Sequence, residues 1–389
     1  MTTVAFTFRR GARTRLIAGL VLALAGTAAA AQTDPFGALH PAAPGATSSG
    51  RTGSTSVTGA VGRSYAGAQA GGLVSLAQLD LTPANIPPLT PTLQVTGAKF
   101  LAGRAKIAVP TYALAFVHGA EVSAFAGGAG SSMAGRRTKI ATRLTGLSDT
   151  QAAALADEAY RDLVGRLRAA GFEVVSPEVL AAAPHMASLS THDGVYGAQG
   201  MIGGGGTKGW ISYPPKGAPL IKGYAGESGM AMMAMSRSLL TLGHVSKEVD
   251  AVLLLPRLIV DHVTMESTGR RNFVGSAQAG AELQFGLNAA SRTDFIFGNE
   301  RGGAMPGAFT TKGASSHEPF GIMAKASDRS DSVGLHNALA VAGFGSVYRQ
   351  SLVYDVEVSP KRFAALTRAA FQGYNAALVA EIRRARGGG

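Results

Sequence analysis

Residues 276–289 alternate almost without a break. Ala277, Ala279, Ala281, Leu283, Phe285, Leu287 and Ala289 fall on one face, and Ser276, Gln278, Glu282, Gln284 and Asn288 on the other. A period of two marks a strand buried on one side. The run from Ala251 to Val263 is instead apolar nearly throughout, as in a strand covered on both faces. Ile107, Val109, Tyr112, Leu114 and Phe116 predict a further strand. Pro110 confines it to an edge or a bulge, because proline brings no N–H to a ladder. Phe172–Val175 reads as a short strand and residues 346–358 as the last one.

Elsewhere the period is helical. Ser148 caps a helix with Gln151 three residues on, a capping box. Ala152, Leu155, Ala159, Leu163 and Leu167 give that helix one apolar face, and Gly171 ends it. A second helix is expected over 227–242. A third starts at Ser359, with Pro360 in the first turn and Phe363, Leu366, Ala370, Tyr374, Leu378 and Ile382 facing a core. Strand, helix and strand in succession predict an α/β fold, a single domain over 100–386 with a mixed sheet flanked by helices. Glycine-rich stretches at 127–135, 194–229 and 298–335 read as loops. No internal repeat is visible.

The N-terminal hundred residues carry little of this patterning. Residues 32–99 read as a disordered linker: Gly, Ala, Ser, Thr and Pro dominate first, followed by prolines from Pro83 to Pro91. Residues 1–31 read as a secretory signal peptide. Arg9, Arg10, Arg13 and Arg15 precede an apolar stretch, Leu16 to Ala25, and Ala29-Ala30-Ala31 offers the cleavage site. That stretch is too short to span a bilayer, so the mature chain is expected to have no transmembrane helix. The address is then periplasmic or secreted, in a bacterial envelope.

Charge looks different once the signal is set aside. The chain has 36 Lys+Arg against 24 Asp+Glu, a formal +12, and the four arginines of the signal reduce it to +8. What remains is scattered along the sequence without interleaved aromatics, which disfavours nucleic acid. It leaves contact with an anionic envelope surface or an envelope protein open. The absence of Cys excludes a disulfide scaffold, a thiol nucleophile, a Cys-ligated metal and an acylated lipoprotein.

Candidate chemistry is sparse. Thr207 and Lys208 follow glycines in GGGGTKG (203–209), but a phosphate loop needs Lys before the hydroxyl residue and a strand ahead of it. A mobile surface loop is the simpler reading. Neither Gly130-Ser131-Ser132-Met133-Ala134 nor Gly226-Glu227-Ser228-Gly229 has the spacing of a hydrolase elbow. His185, His192, His244, His262, His317 and His336 have no matched Ser and acid in the sequence. His185, His192 and Asp193 form only a loose group, and Asp261 precedes His262 without a metal-binding spacing. Met230, Met232, Met233 and Met235 suit Cu(I), yet their window is apolar all round, as in a buried helix. Residues 276–289 are also long enough for an outer-membrane strand, with 290–298 as the return of a membrane hairpin. A soluble sheet strand is the favoured reading.

The helix Asp157–Gly171 (DEAYRDLVGRLRAAG) running into FEVV, and the strand VDAVLLLPRLIVDHV at 249–263, resemble periplasmic domains of the curli-secretion-channel type. The resemblance implies an α/β domain and a long hairpin that builds an oligomeric pore. It carries over no functional residue. Those channels are lipoproteins, whereas this chain has no Cys to acylate.

The expected function is that of an exported cell-envelope protein acting by binding or assembly, with a homo-oligomer open and no cofactor called for. The alternatives are a periplasmic hydrolase with Gly-rich active-site loops and a soft-metal or small-ligand binder.

Overall fold

Both periodicities feed one mixed sheet of 16 strands with helices packed on its two faces. A computed structural model describes residues 56–60, 63–67, 76–81, 86–126, 136–202, 206–227, 231–268, 278–299, 304–312, 314–328 and 348–387. In chain order the elements begin with β1 (Ser56–Ala60), β2 (Arg63–Gly67), α1 (Leu76–Leu81), β3 (Thr92–Thr96), β4 (Lys106–Ala108), β5 (Ala113–Ala126) and β6 (Arg136–Thr145). Next come α2 (Asp149–Ala169), β7 (Glu173–Val174), α3 (Pro177–Ala182), β8 (Tyr196–Ile202), β9 (Gly206–Tyr213) and α4 (Ala231–Glu248). The chain continues through β10 (Val252–Thr268), β11 (Gln278–Leu287), β12 (Arg292–Gly298), β13 (Ala304–Lys312), β14 (Ala314–Ser316) and β15 (Gly321–Asp328). It ends with β16 (Tyr348–Val358) and α5 (Pro360–Arg386). The main path of neighbours is β15-β16-β6-β5-β10-β11-β1-β2.

The apolar run at the start of β10 is explained by two cores. Val252, Leu254, Leu258 and Val260 pack with α2 and α5, while Leu253 and Leu255 pack with Leu180 of α3 and Leu242 and Val245 of α4. The capping box on α2 is present, and Gly171 follows the helix at φ +81°. Ser359 caps α5 by accepting the N–H of Arg362, with Pro360 in the first turn.

Several expectations are corrected. Pro110 does not interrupt one strand but separates two, β4 and β5. The stretch 194–229 contains β8 and β9, and 298–335 contains β13, β14 and β15. Within β8 and β13 some glycines serve close packing rather than turns: a Cβ on Gly200 would sit 2.5 Å from the Trp210 ring, and one on Gly307 1.7 Å from the Phe295 ring. Within 32–99, β1 pairs with β11, β3 with β13, and Asp80 at the end of α1 bonds Ser359.

The alternating stretch is strand β11, but residues 290–298 are not its return. Its hairpin partner is β10, and β12 pairs with β10 as well, lower on the same strand. Ser291 holds that arrangement. Its Oγ accepts the Ile259 N–H at 2.9 Å while the Asn288 N–H reaches the Ile259 carbonyl at 2.8 Å. The bend is thereby pinned to β10, so the chain runs on along the same neighbour.

Candidate functional site

Five hairpins share one polarity. β1, β5 and β10 run in one direction, and β2, β6, β9, β11 and β16 return against it. β1, β5, β8, β10 and β15 therefore end, and β2, β6, β9, β11 and β16 begin, at the same end of the sheet. β15 and β2 terminate the main path of neighbours.

The sheet forks on the way to that end. β5 and β10 pair in parallel from Ala113/Arg257 to Phe116/Val260 and then part. β5 takes β6 as neighbour from Gly119 onward, while β10 stays with β11. Two ladders slip at this level, β5 with β9 between Val117 and Gly119, and β10 with β11 between Asp261 and Val263. Beyond the fork the branches close on each other through Ala120, Val122, Ala124, Ile140, Leu352 and Tyr354 on one side and Val263, Ala279 and Ala281 on the other. Charged pairs lie on the same strands, turned away from that core: Lys139–Glu121 at 2.6 Å, and Arg143 bidentate on Asp355 at 2.7 and 2.8 Å.

A buried polar cluster sits in the crotch. Lys208 of β9 donates to Asp261 of β10 and to the Val263 carbonyl at 2.8 Å. Asp261 also accepts from Asn288 Nδ2 at 2.9 Å and from the N–H groups of His262 at 3.0 Å and Val263 at 3.3 Å. Each charge thus has several partners, which is what a buried ion pair requires. His262 is fully buried, and neither ring nitrogen makes a hydrogen bond among the described residues, although the Val117 carbonyl lies nearby. His118 Nε2, at the other slip, is likewise unsatisfied. Burial pushes His262 down to about 4, with Asp261 opposing and Lys208 and His118 reinforcing the shift. His118 is lowered for the same reason, against the pull of Asp149.

The remaining candidates are dispersed. Thr207 and Lys208 belong to strand β9, so GGGGTKG is no phosphate loop, and Lys208 is buried rather than on a mobile surface loop. His185 and His192 part company. His185 pairs with Glu248 and stacks on His244 with centroids 4.7 Å apart, whereas His192 Nε2 lies 2.6 Å from Glu227 and stacks on Tyr196. Glu227 also accepts the N–H groups of Gly223 at 2.8 Å and Ala225 at 3.0 Å. Burial pushes its carboxyl upward, but these bonds together hold it below the usual carboxylate range. His317 is exposed, and Met235 packs on the α4 core. Ser131, Ser132, Ser228, Met230 and His336 lie outside the described residues, as do the side chains of Met232 and Met233.

Sequence reasoning missed His118, Asn288 and the acid Glu227. Residues 206–213 form a strand that is buried on most of both faces, and its two glycines and Lys208 leave no period-two pattern to read in the sequence. Among the described residues no group of three or more His, Asp or Glu is placed to hold a metal ion, and no helix is long and apolar enough to cross a membrane. A cleft of about 230 Å³ between Tyr160, Leu180, Met186 and Pro219 is lined almost wholly by apolar side chains and contains none of these polar groups. No family model, curated protein or solved structure matches the chain.

Proposed function

We propose that the protein is an exported cell-envelope component that acts by binding and assembly, with the hairpin end as its working surface. The observation that carries this is that five pairs of consecutive antiparallel strands reach the same end of a sheet that ends, along its main path, in β15 and β2. Terminal strands present backbone N–H and C=O groups that a second chain can extend, the usual route of strand addition. Beyond the fork the apolar rows are turned inward and the charged rows outward, so recognition there is polar and directional. The resemblance to curli-type domains points to the same class of activity, and the N-terminal signal supplies the route. Multi-angle scattering on the mature chain, together with co-sedimentation with envelope fractions, tests the reading. Oligomers or envelope association are expected; a monomer that stays in the soluble fraction would overturn it.

One observation favours a second reading, a periplasmic hydrolase. His192 is held by a buried carboxylate, the arrangement that orients an imidazole for general-base work. Screening esters and phosphoesters decides it. Activity lost in both His192→Ala and Glu227→Gln, with the fold intact, would establish the hydrolase; no turnover in the native chain would remove it.

A further inference from the structure

The opposite end of the molecule gathers charge that the sequence disperses. Helices α2 and α5 lie side by side and point the same way: Arg368 pairs with Glu158, Asn375 bonds the Ala159 carbonyl, and Arg386 bonds the Gly171 carbonyl. Both run away from the end of the sheet at which β5 and β10 finish, because α2 ends against β7, which pairs through β4 with the first residues of β10. Their last turns bring together Arg166, Arg168, Arg383, Arg384 and Arg386. The Gly103 N–H donates to the Arg386 carbonyl at 3.3 Å, which adds the neighbouring Arg104.

Part of this charge has a structural purpose. Two helix C-termini carry a partial negative charge of about one unit between them, and cations there are stabilising. Arg386 already meets that need, bonding Gly171 while lying over the Phe172 ring at 5.1 Å. Arg166 and Arg384 are matched by Asp162 and Glu381. Arg104, Arg168 and Arg383 are exposed and form no ion pair with a carboxylate among the described residues. They are surplus to the helices.

We infer that this arginine-rich pole docks on an anionic lipid surface through the lipid phosphates. The guanidinium fork matches phosphate geometry. Protein interfaces centre on buried aromatic and apolar residues, and among the described residues the exposed large apolar side chains, Val179, Val195 and Leu240, belong to other elements than α2 and α5. A pole with surplus charge at a cluster of helix ends instead fits a plane of mobile headgroups. This contact is independent of the hairpin end.

Co-sedimentation of the full mature chain with phosphatidylcholine vesicles, and with vesicles of equal parts phosphatidylcholine and phosphatidylglycerol, tests the inference. Binding is expected only to the second and falling with salt. The triple variant Arg104→Glu, Arg168→Glu, Arg383→Glu should weaken it by about a hundredfold. The triple Lys216→Glu, Lys222→Glu, Arg237→Glu carries the same charge change elsewhere and should lose far less. Equal loss in the two triples would show that diffuse net charge is responsible and overturn the assignment. So would binding to polyglutamate but not to either vesicle. Molecular mass and melting temperature of both triples report separately on assembly and folding, so failure here leaves the hairpin reading to its own test.

Discussion

At the scale of single residues, the crotch of the fork is where the molecule is most exposed to perturbation. Asp261 collects four donors, so Asp261→Ala leaves the Lys208 ammonium buried without a counter-charge. Loss of about 3–5 kcal/mol in stability is expected, read by denaturant unfolding at neutral pH. His262 gives the same place a pH dependence. Its ring is neutral in the native state down to about 4, whereas in the unfolded chain it takes a proton below its ordinary 6.5. The contribution of His262 to native stability therefore falls as pH drops from 6.5 towards 4, by about 3 kcal/mol, and that contribution levels off below. His118 is shifted in the same direction and adds to the slope. In His262→Leu the slope across this window should shrink. An unchanged slope in unfolding curves at pH 7 and pH 4.5 would show that the ring does not carry it.

Among the elements, the helices were the most legible because their ends are written in short range. Ser148, Gln151 and Gly171 mark α2 at both ends, and Ser359 and Pro360 mark the start of α5. Ser148→Ala should cost about 1 kcal/mol, seen as a shift in the midpoint of denaturation. Strands β8 and β13 were illegible for a physical reason: Gly200 and Gly307 let the Trp210 and Phe295 rings close in, and glycine in sequence looks the same in a strand as in a turn. The cluster at the fork was illegible because it joins residues 118, 208, 261 and 288 through register slips, which depend on the partner strand and not on local pattern. Gly373 shows a further close approach, in α5. The Leu89 N–H bonds the Ala369 carbonyl at 3.2 Å, and a Cβ on Gly373 would lie 2.0 Å from the Leu89 carbonyl oxygen. Gly373→Ala should lift the segment around Leu89 from the helix. Faster proteolysis between residues 86 and 96, with α5 still helical, would report it.

Taken whole, the described α/β domain has two unlike ends of its sheet, one where paired strands finish and one of helix termini rich in arginine. Net charge in the sequence suggested a diffuse surface; folding sorts it by bringing residues near 104, 168 and 383 to one place. The position of β16 has a consequence of another kind. It lies between β15 and β6, and the helix that follows it supplies Phe363, Leu366, Tyr374 and Leu378 to the main core. The residues before Tyr348 thus have neither the strand that joins β6 to β15 nor the helix that covers Leu254 and Phe116. Contacts so distant in sequence close slowly. On the export route proposed above, a chain that emerges from its amino end and seals only with its last elements would stay open during the crossing, which is the state a narrow translocation channel needs.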